Sequence, residues 1–439
     1  MKPLPPIKVQ PASQAPRANP SSPAPDATRW RAARLLWAPH RLGFFAAASV
    51  MALAGLWWLL ELAARLVPAM ALPHATVPTY THALIMSLGF LPLFFVGFLF
   101  TAGPKWLQMP EVSAHAVLRP VAACVSGWFL LILGTHLSAV MAGAGVALAA
   151  IGWSVLTHRF VVMVLRSKAS DRLHAKLIAV ACVIGAGLMA LAALGLWLGH
   201  PSWLRLCAYL GLWWFIVPVY TTVAHRMIPF FTAAALPILD SWRPYWLLWT
   251  LLGLAWWQGA WVLLDFLDGL QSPVWMGLRG AVSAFAAVGV LALAVRWGLV
   301  QSLKIRLLAM LHLGFVWLGL AYALDAGSLW MQASGHLGGL GLAPLHALSM
   351  GFLGSILLAM ATRVSCGHSG RALTADNLAW GLYGVLQLAV LARLGAVFWA
   401  AYSSQVLVIA ALLWVVATGG WALRYGRWFG LPRVDGKAG

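Results

Sequence analysis

Long apolar segments follow one another at short intervals along most of the chain, and they limit the possible folds more than any other feature. A helix needs about 20 apolar residues to cross the hydrocarbon core of a bilayer. Segments of about this length predict twelve membrane-spanning helices, at residues 42–64, 80–103, 119–137, 138–158, 174–198, 203–223, 245–266, 275–298, 306–327, 343–362, 377–400 and 403–424. The predicted fold class is therefore all-α, a polytopic membrane helix bundle.

The composition agrees with this class and excludes a soluble protein. Of the 439 residues, 62% are hydrophobic and 9% are charged, whereas a soluble domain carries roughly 25% charged residues. The 26 tryptophans are typical of aromatic belts at the two membrane surfaces. The four cysteines show no CxxC or CxxCH spacing, which excludes a zinc ribbon and a covalently attached haem.

The basic residues predict the direction of the helices. If the N-terminus is cytoplasmic, 25 of the 29 lysines and arginines fall in segments on that side. Such a bias predicts that both termini are cytoplasmic. It also explains the net charge of +19 without nucleic acid, through topology and attraction to anionic lipid. The four exceptions are Arg65, Arg205, Arg279 and Arg393.

The two ends of the chain differ in composition from its middle. Residues 1–38 are rich in proline, alanine and serine, which predicts a disordered cytoplasmic tail. Residues 39–425 contain all twelve predicted spans and form the predicted transmembrane domain. Residues 426–439 are predicted to be a cytoplasmic C-terminal tail.

A histidine motif occurs twice, as HALIMSLGF at 82–90 and as HALSMGFLG at 346–354. His82 and His346 both open outside-to-inside helices near the outer face, and each is followed by a methionine on the same helix face. Two facing imidazoles at equal depth are able to clamp a haem iron. The glycines that follow allow close approach of a helix or a flat ligand. The alternative is that each histidine caps or snorkels at the interface, and the methionines are expected to pack.

Two of the exceptional arginines, Arg279 and Arg393, enter their spans near the outer ends. Guanidinium groups suit carboxylates, so both are predicted to hold the haem propionates. The alternatives are snorkelling to lipid headgroups and pairing with Asp265. No aspartate or glutamate is expected in the middle of the membrane, because Asp325 and the others are placed near outer ends; this argues against a proton or ion antiporter.

Histidines near the inner ends predict a second metal site. His225 lies in HRMIPFF after span six, His368 lies in GHSGR after span ten, and His312 lies about two helical turns into span nine. Neutral imidazole suits both iron and copper, and the three would converge if these spans are neighbours. His40, in PHRLGF before span one, has a similar position. The alternative is that these histidines bond helix-end carbonyls and shape the turns.

The motifs PHRLGFF, HALIMSLGF…GFLFTAGPKW, HRMIPFF and HALSMGFLGSILLAMATRVSCGHSGR resemble, in this order, the NnrS family. The resemblance runs from about residue 38 to 425, with Lys105 standing where the family usually has asparagine. It implies a twelve-span bacterial inner-membrane protein that binds haem and copper and is linked to nitric oxide and nitrosative stress. The family motifs match His40, His82, His225, His346 and His368.

The predicted architecture is also similar to that of haem–copper oxidases and nitric oxide reductases, in which spans two and ten hold a bis-histidine haem. This is a likeness of fold only. The adjacent histidine pair expected on span seven is absent, because residues 245–266 contain no histidine. Copper, if it is the second cofactor, must have other ligands.

Three functions follow from these expectations. The first is a haem protein, with b-type haem and possible copper as cofactors, that reduces or scavenges nitric oxide, and whose electron donor the sequence does not identify. Reduction would make it a nitric oxide reductase-type oxidoreductase. The alternative is a transporter of haem, metal or an iron–nitrosyl species, although the duplicated motif links spans two and ten and indicates no six-plus-six repeat. The third is a non-catalytic membrane sensor or assembly factor.

Overall fold

The computed structural model describes residues 29–267, 269, 272–336 and 338–436. Within these ranges the regular structure is entirely helical, and twelve helical segments are long and apolar enough to cross a membrane. The segments are α1 Pro39–Leu66, α2 Pro78–Leu99, α3 Ala114–Leu137, α4 Ala139–Arg166, α5 Leu173–Trp197, α6 Ser202–Ala235, α7 Tyr245–Phe266, α8 Pro273–Arg296, α9 Arg306–Ala333, α10 Ala343–His368, α11 Asn377–Gly395 and α12 Ala400–Phe429. The predicted membrane helix bundle is confirmed.

Two helices extend well beyond the apolar segments that predicted them. The HRMIPFF segment lies inside α6, which continues to Ala235 with Pro229 in its interior. The TRVSCGH segment likewise belongs to α10, and His368 ends that helix. Hydropathy underestimated both lengths because polar side chains are satisfied inside the bundle; Thr232, for example, donates to the carbonyl of Ile228 at 2.9 Å.

Helices that follow one another in the sequence also pack side by side, as in α3 with α4, α4 with α5, α8 with α9, and α11 with α12. α1 also contacts α12, which brings the two ends of the chain together. The contact of α1 with α2 is especially close, because a Cβ on Gly43 would lie 2.6 Å from the backbone nitrogen of Gly97. Small residues at such crossings let helix backbones touch.

The first and last described segments lie at one end of the bundle, which we call the terminal end; the opposite end is the distal end. Arg41 at the start of α1 donates to the carbonyls of Phe429 and Leu431 at 3.1 and 2.8 Å. The charge pattern predicts that the distal end faces outward. His82 and His346 lie at the distal end, at the beginnings of α2 and α10.

The predicted N-terminal tail begins to form structure before its expected boundary. Residues 1–28 lie outside the described residues. Ala32–Trp37 form a short 3-10 helix, and Arg34 on it donates to the carbonyl of Gly430 at 3.1 Å. Part of the segment assigned to a disordered tail is thus packed onto the C-terminal end of α12, because a buried arginine ties it there.

Three membrane helices contain a stretch of π-helix, at Ile85–Gly89 in α2, Leu212–Ile216 in α6 and Ala347–Gly354 in α10. The stretches in α2 and α10 fall within the two copies of the histidine motif. A π-bulge inserts one residue into an α-helix and is frequent at functional sites. Each copy of the histidine motif therefore contains a π-helical stretch directly after its histidine.

A candidate paired-histidine site at the distal end

The two motif histidines face a common region at the distal end. His82 and His346 lie near each other, and both are partly buried. Trp58 from α1 stacks on His82, and Arg393 from α11 lies near both rings. Two helices from the start of the chain and two from near its end therefore meet around the imidazoles.

His346 is oriented by a hydrogen bond to its own helix. Its Nδ1 lies 2.9 Å from the carbonyl oxygen of Leu342, four residues earlier. A carbonyl only accepts, so Nδ1 carries the proton and Nε2 keeps a free lone pair. Histidines that bind metals usually donate their other ring nitrogen to a carbonyl or carboxylate in this way. His346 thus has the tautomer in which Nε2 is able to bind a metal ion.

His82 is held by packing rather than by hydrogen bonds. Its ring stacks on the indole of Trp58, with centroids 3.9 Å apart and planes at 19°. Its Nδ1 is buried and has no hydrogen-bond partner among the described residues. A buried polar atom without a partner costs about 1–3 kcal/mol, so this side chain is suited to receive a ligand or metal.

Two arginines lie near the histidines, and a third lies beside Tyr80. Arg393 lies near both rings. Arg65 interacts with His82 and lies over the Trp58 ring at 5.4 Å. Arg205 lies over the ring of Tyr80, two residues before His82, at 5.7 Å. The three make no ion pair with a carboxylate within the described ranges.

Arg279, the other arginine predicted to hold a propionate, is engaged elsewhere. Its guanidinium donates to both carboxylate oxygens of Asp265 at 3.0 and 2.9 Å and lies over the Trp261 ring at 4.5 Å. The pairing with Asp265 considered from the sequence is therefore the one that forms, because the short α7–α8 connection brings the two side chains together. Arg65 and Arg205 were not predicted to take part, although both were exceptions to the charge pattern.

A cavity of about 470 Å³ opens beside the His346 turn, between α6, α7, α8, α9 and α10. Asp325 lines it and accepts hydrogen bonds from Ser283 at 2.7 Å and from Gln258 at 3.1 Å. Asp325 lies eight residues before the end of α9, or about 12 Å at 1.5 Å per residue. Hydrogen bonds from two neighbouring helices make this buried carboxylate tolerable, and its depth in a membrane stays a prediction.

The glycines and methionines of the motifs have packing roles. A Cβ on Gly351 would lie 2.7 Å from the Trp317 ring, and a Cβ on Gly89 would lie 2.8 Å from the side chain of Ile85. The space beside these glycines is thus filled by protein side chains and not left for a flat ligand. Met86 and Met350 pack against the hydrophobic core, as expected.

The three histidines predicted to form a second metal site are not brought together. His225 accepts at Nδ1 from His174 at 3.1 Å and donates through Nε2 to the carbonyl of Pro244 at 3.1 Å. His312 bonds through Nε2 to the hydroxyl of Thr232 at 2.9 Å. Each ring has its own partner, because the longer α6 places His225 two helical turns away from Thr232 on the same helix.

His368 packs on His40 instead, with ring centroids 4.2 Å apart. The pair joins two family motifs at the terminal end, with Lys105, Arg41 and Arg433 near it. The Nδ1 of His40 is buried and has no hydrogen-bond partner in the described chain. The sequence predicted that His225, His312 and His368 converge on one metal. In the structure, His368 instead contacts His40, away from the other two.

Sequence analysis did not single out a further group at the distal end. Glu61, His74 and His136 place their ligand atoms within 4.8 Å of one another. It is the one group of three or more histidine, cysteine or acidic side chains with this spacing in the ranges that the structure describes. Depth was a usable signal, because the charge pattern places this end of the helices on the outer side, but the sequence separation of the three residues gave no reason to join them.

The fold and the site define a multi-pass α-helical membrane protein with a histidine pair at one end of the bundle. Residues 34–433 match the family model for NnrS, described as NnrS protein. The chain belongs to the NnrS family. No curated protein and no solved structure matches it significantly, so the likeness to haem–copper oxidases stays a prediction.

Proposed function

We propose that this protein holds a b-type haem between His82 and His346 in the bacterial inner membrane and uses it to reduce or scavenge nitric oxide. The observation that supports the proposal is the meeting of the two motif imidazoles from helices far apart in sequence, each with a ring nitrogen that has no protein partner. Haem would supply an iron that binds nitric oxide. The absence of CxxCH favours a non-covalent haem.

The two histidines have different roles in this proposal. His346 is oriented by its bond to the Leu342 carbonyl and would be the more firmly held of the two residues that hold the haem. His82 is held by its stacking on Trp58 and would be the residue more able to move away from the haem. The π-helical turns beside both histidines allow small shifts of the helix without loss of the bundle.

The positive charge around the pair fits the two carboxylates of a haem. Arg393 lies near both histidines and Arg65 lies near His82, while Arg205 lies over the ring of Tyr80, two residues before His82. None of the three is neutralised by an acidic side chain within the described residues, so propionates would supply the missing negative charge. Nitric oxide itself is small and apolar and reaches such a site from the lipid.

Copper is the second cofactor that we propose on the basis of the family resemblance. At the terminal end the His40–His368 contact offers two imidazoles, and His225 and His312 are committed to other partners. Metal analysis of the purified chain tests this point: copper should be present in the wild type and decrease in the His40→Ala and His368→Ala variants. Equal copper content in the wild type and both variants would exclude His40 and His368 as copper ligands.

The central experiment is a visible spectrum of the purified protein, followed by titration with nitric oxide. The wild type should show a Soret band that shifts when nitric oxide is added. His336→Ala is a suitable control, because His336 also lies at the distal end, is exposed, and has its ring bonded to Ser334. A wild-type spectrum and haem content in both His82→Ala and His346→Ala would overturn the ligand assignment.

A transporter remains the second candidate, and the polar cavity at the distal end favours it. A buried aspartate that lines a cavity within a membrane protein often marks a substrate or ion path. Asp325→Asn should then abolish uptake or efflux in proteoliposomes and leave the haem spectrum unchanged. Loss of nitric oxide binding without any change in transport would favour the haem function instead.

A further inference from the structure

A second constellation of ligands lies at the distal end, outside the proposed haem site. Glu61 comes from α1, His74 from the loop between α1 and α2, and His136 from the end of α3. Nε2 of His74 is 3.0 Å from one carboxylate oxygen of Glu61, and Nε2 of His136 is 3.5 Å from the other. We infer that these three side chains form a binding site for a divalent transition metal ion that prefers imidazole, such as Zn²⁺.

The spacing fits a metal ion. Two ligands that each bind tetrahedral zinc at about 2.0–2.1 Å lie about 3.3 Å apart, and the two measured separations lie on either side of that value. Two imidazoles with one carboxylate suit zinc, iron, copper and nickel. An open fourth position is available, because His74 is at the surface with 34% of its side chain exposed, whereas Glu61 is 11% exposed.

Hydrogen bonds within the protein already position the ligand side chains without a bound ion. Nδ1 of His136 lies 3.0 Å from the carbonyl of Pro73, which fixes its proton there and leaves Nε2, 3.5 Å from Glu61, as the unprotonated nitrogen. The backbone nitrogens of Ala75 and Thr76 donate to the carbonyl of Thr135 at 2.8 and 3.2 Å. The loop that carries His74 is thus fastened to the helix that carries His136, and little ordering is needed on binding.

Trp57 competes with a metal ion for His136, and this competition provides a test of the site. The indole nitrogen of Trp57 donates to Nε2 of His136 at 3.0 Å and occupies the lone pair that a metal would use. Metal binding must displace this hydrogen bond. If the three side chains bind a metal, removing the indole N–H should therefore increase the metal affinity. If hydrogen bonds alone hold them together, the same change should weaken their arrangement and should not increase the affinity.

The site also lies close to the proposed haem ligand. The Trp57 ring is 5.9 Å from the Trp58 ring, which in turn stacks on His82 at 3.9 Å. Two tryptophans thus connect the metal site with His82. The inference itself does not depend on the haem, and its failure is distinguishable, because each site has its own ligands and its own readout.

The experiment uses the full-length protein in detergent, treated with a chelator and then titrated with Zn²⁺ by calorimetry, with metal content measured after desalting. We expect one tightly bound zinc in the wild type. Loss of a ligand in Glu61→Gln, His74→Ala or His136→Ala should weaken binding at least about tenfold. Trp57→Phe should tighten it several-fold, and His200→Ala, at the same end but stacked on Trp203, should leave it unchanged.

Two further measurements keep the result decisive. Bound Cu²⁺ should show coupling to two imidazole nitrogens by electron paramagnetic resonance, and to one in His74→Ala, whose exposed loop position leaves the bundle intact. His82→Ala should lose or alter haem yet keep the zinc. Zinc affinity equal to the wild type in both Glu61→Gln and His74→Ala, or weaker binding in Trp57→Phe, would overturn the site.

Discussion

The two copies of the His-Ala-Leu-x-Met motif are alike in sequence and different in surroundings. His346 donates to the carbonyl of Leu342, and its Nε2 is free. His82 makes no hydrogen bond within the described residues and is held by the face of Trp58. The π-helical stretch also differs, with five residues in the first copy and eight in the second.

The difference teaches that a repeated motif does not imply two equal ligands. The orientation of a metal-binding histidine is set by what its second nitrogen contacts, and that contact lies outside the shared letters. A hydrogen-bonded ring loses little freedom when it binds iron, whereas a stacked ring is able to leave. An asymmetric pair of this kind suits a haem that must both be retained and admit a small ligand.

The largest expected effect separates the two histidines directly. His346→Ala should lose most of the bound haem, because the oriented ligand is gone, whereas His82→Ala should retain much of it with a shifted Soret band. Haem content per polypeptide measures the difference. If His82→Ala loses as much haem as His346→Ala, the two copies act as equivalent ligands and the asymmetry is wrong.

The next effect concerns the charges around the pair. Arg393→Leu should weaken haem retention in detergent several-fold and lower the reduction potential, because a nearby positive charge favours the reduced iron. Arg279→Leu is the matched control, since its guanidinium is already engaged by Asp265. If both substitutions change the haem content and the reduction potential equally, Arg279 also belongs to the haem site.

A smaller effect is expected from the aromatic partner of the first copy. Trp58→Leu removes the surface on which His82 stacks, so nitric oxide should bind several-fold faster while haem content stays close to the wild type. Trp317→Leu provides the comparison, because Trp317 lies beside Gly351 of the second copy and bonds Gln387 rather than the histidine. Stopped-flow spectra measure the rates; unchanged binding in Trp58→Leu would show that stacking does not control access.

The smallest effect on haem should come from the helix contact of the second copy. Gly351→Ala places a methyl group 2.7 Å from Trp317 and should destabilise the fold by about 1–3 kcal/mol. Gly384→Ala on α11 meets nothing within 4 Å and should be neutral or slightly stabilising. Thermal unfolding in detergent compares the two. A melting temperature for Gly351→Ala equal to that of Gly384→Ala would mean that the close packing is not needed.

Much of the architecture was predictable because hydropathy is a local property. Runs of about 20 apolar residues located all twelve helices, and the α7 segment was predicted with the same boundaries that the structure shows. The errors lie where polar groups enter the bundle. HRMIPFF was placed after span six because its histidine and arginine lower hydropathy, yet it continues α6.

The candidate site was predictable in part for a related reason. Repetition of the motif and a shared depth pointed to His82 and His346 without any contact information. The roles of the arginines were not predictable, because Arg279 and Arg393 both enter their spans near the outer ends and are both exceptions to the charge pattern. The difference between them depends on a single neighbour, Asp265, whose distance from each arginine is a tertiary property.

By itself, the sequence determined the membrane class, the number of helices, the family and the paired motif, because length, apolarity and repetition are written along the chain. Only the tertiary structure decided which side chains meet. It placed His40 on His368, gave His225 and His312 separate partners, and gathered Glu61, His74 and His136 at the distal end. The physical reason is that helices of similar apolarity pack in many orders with similar loss of lipid contact, so close packing and a few buried hydrogen bonds select the neighbours.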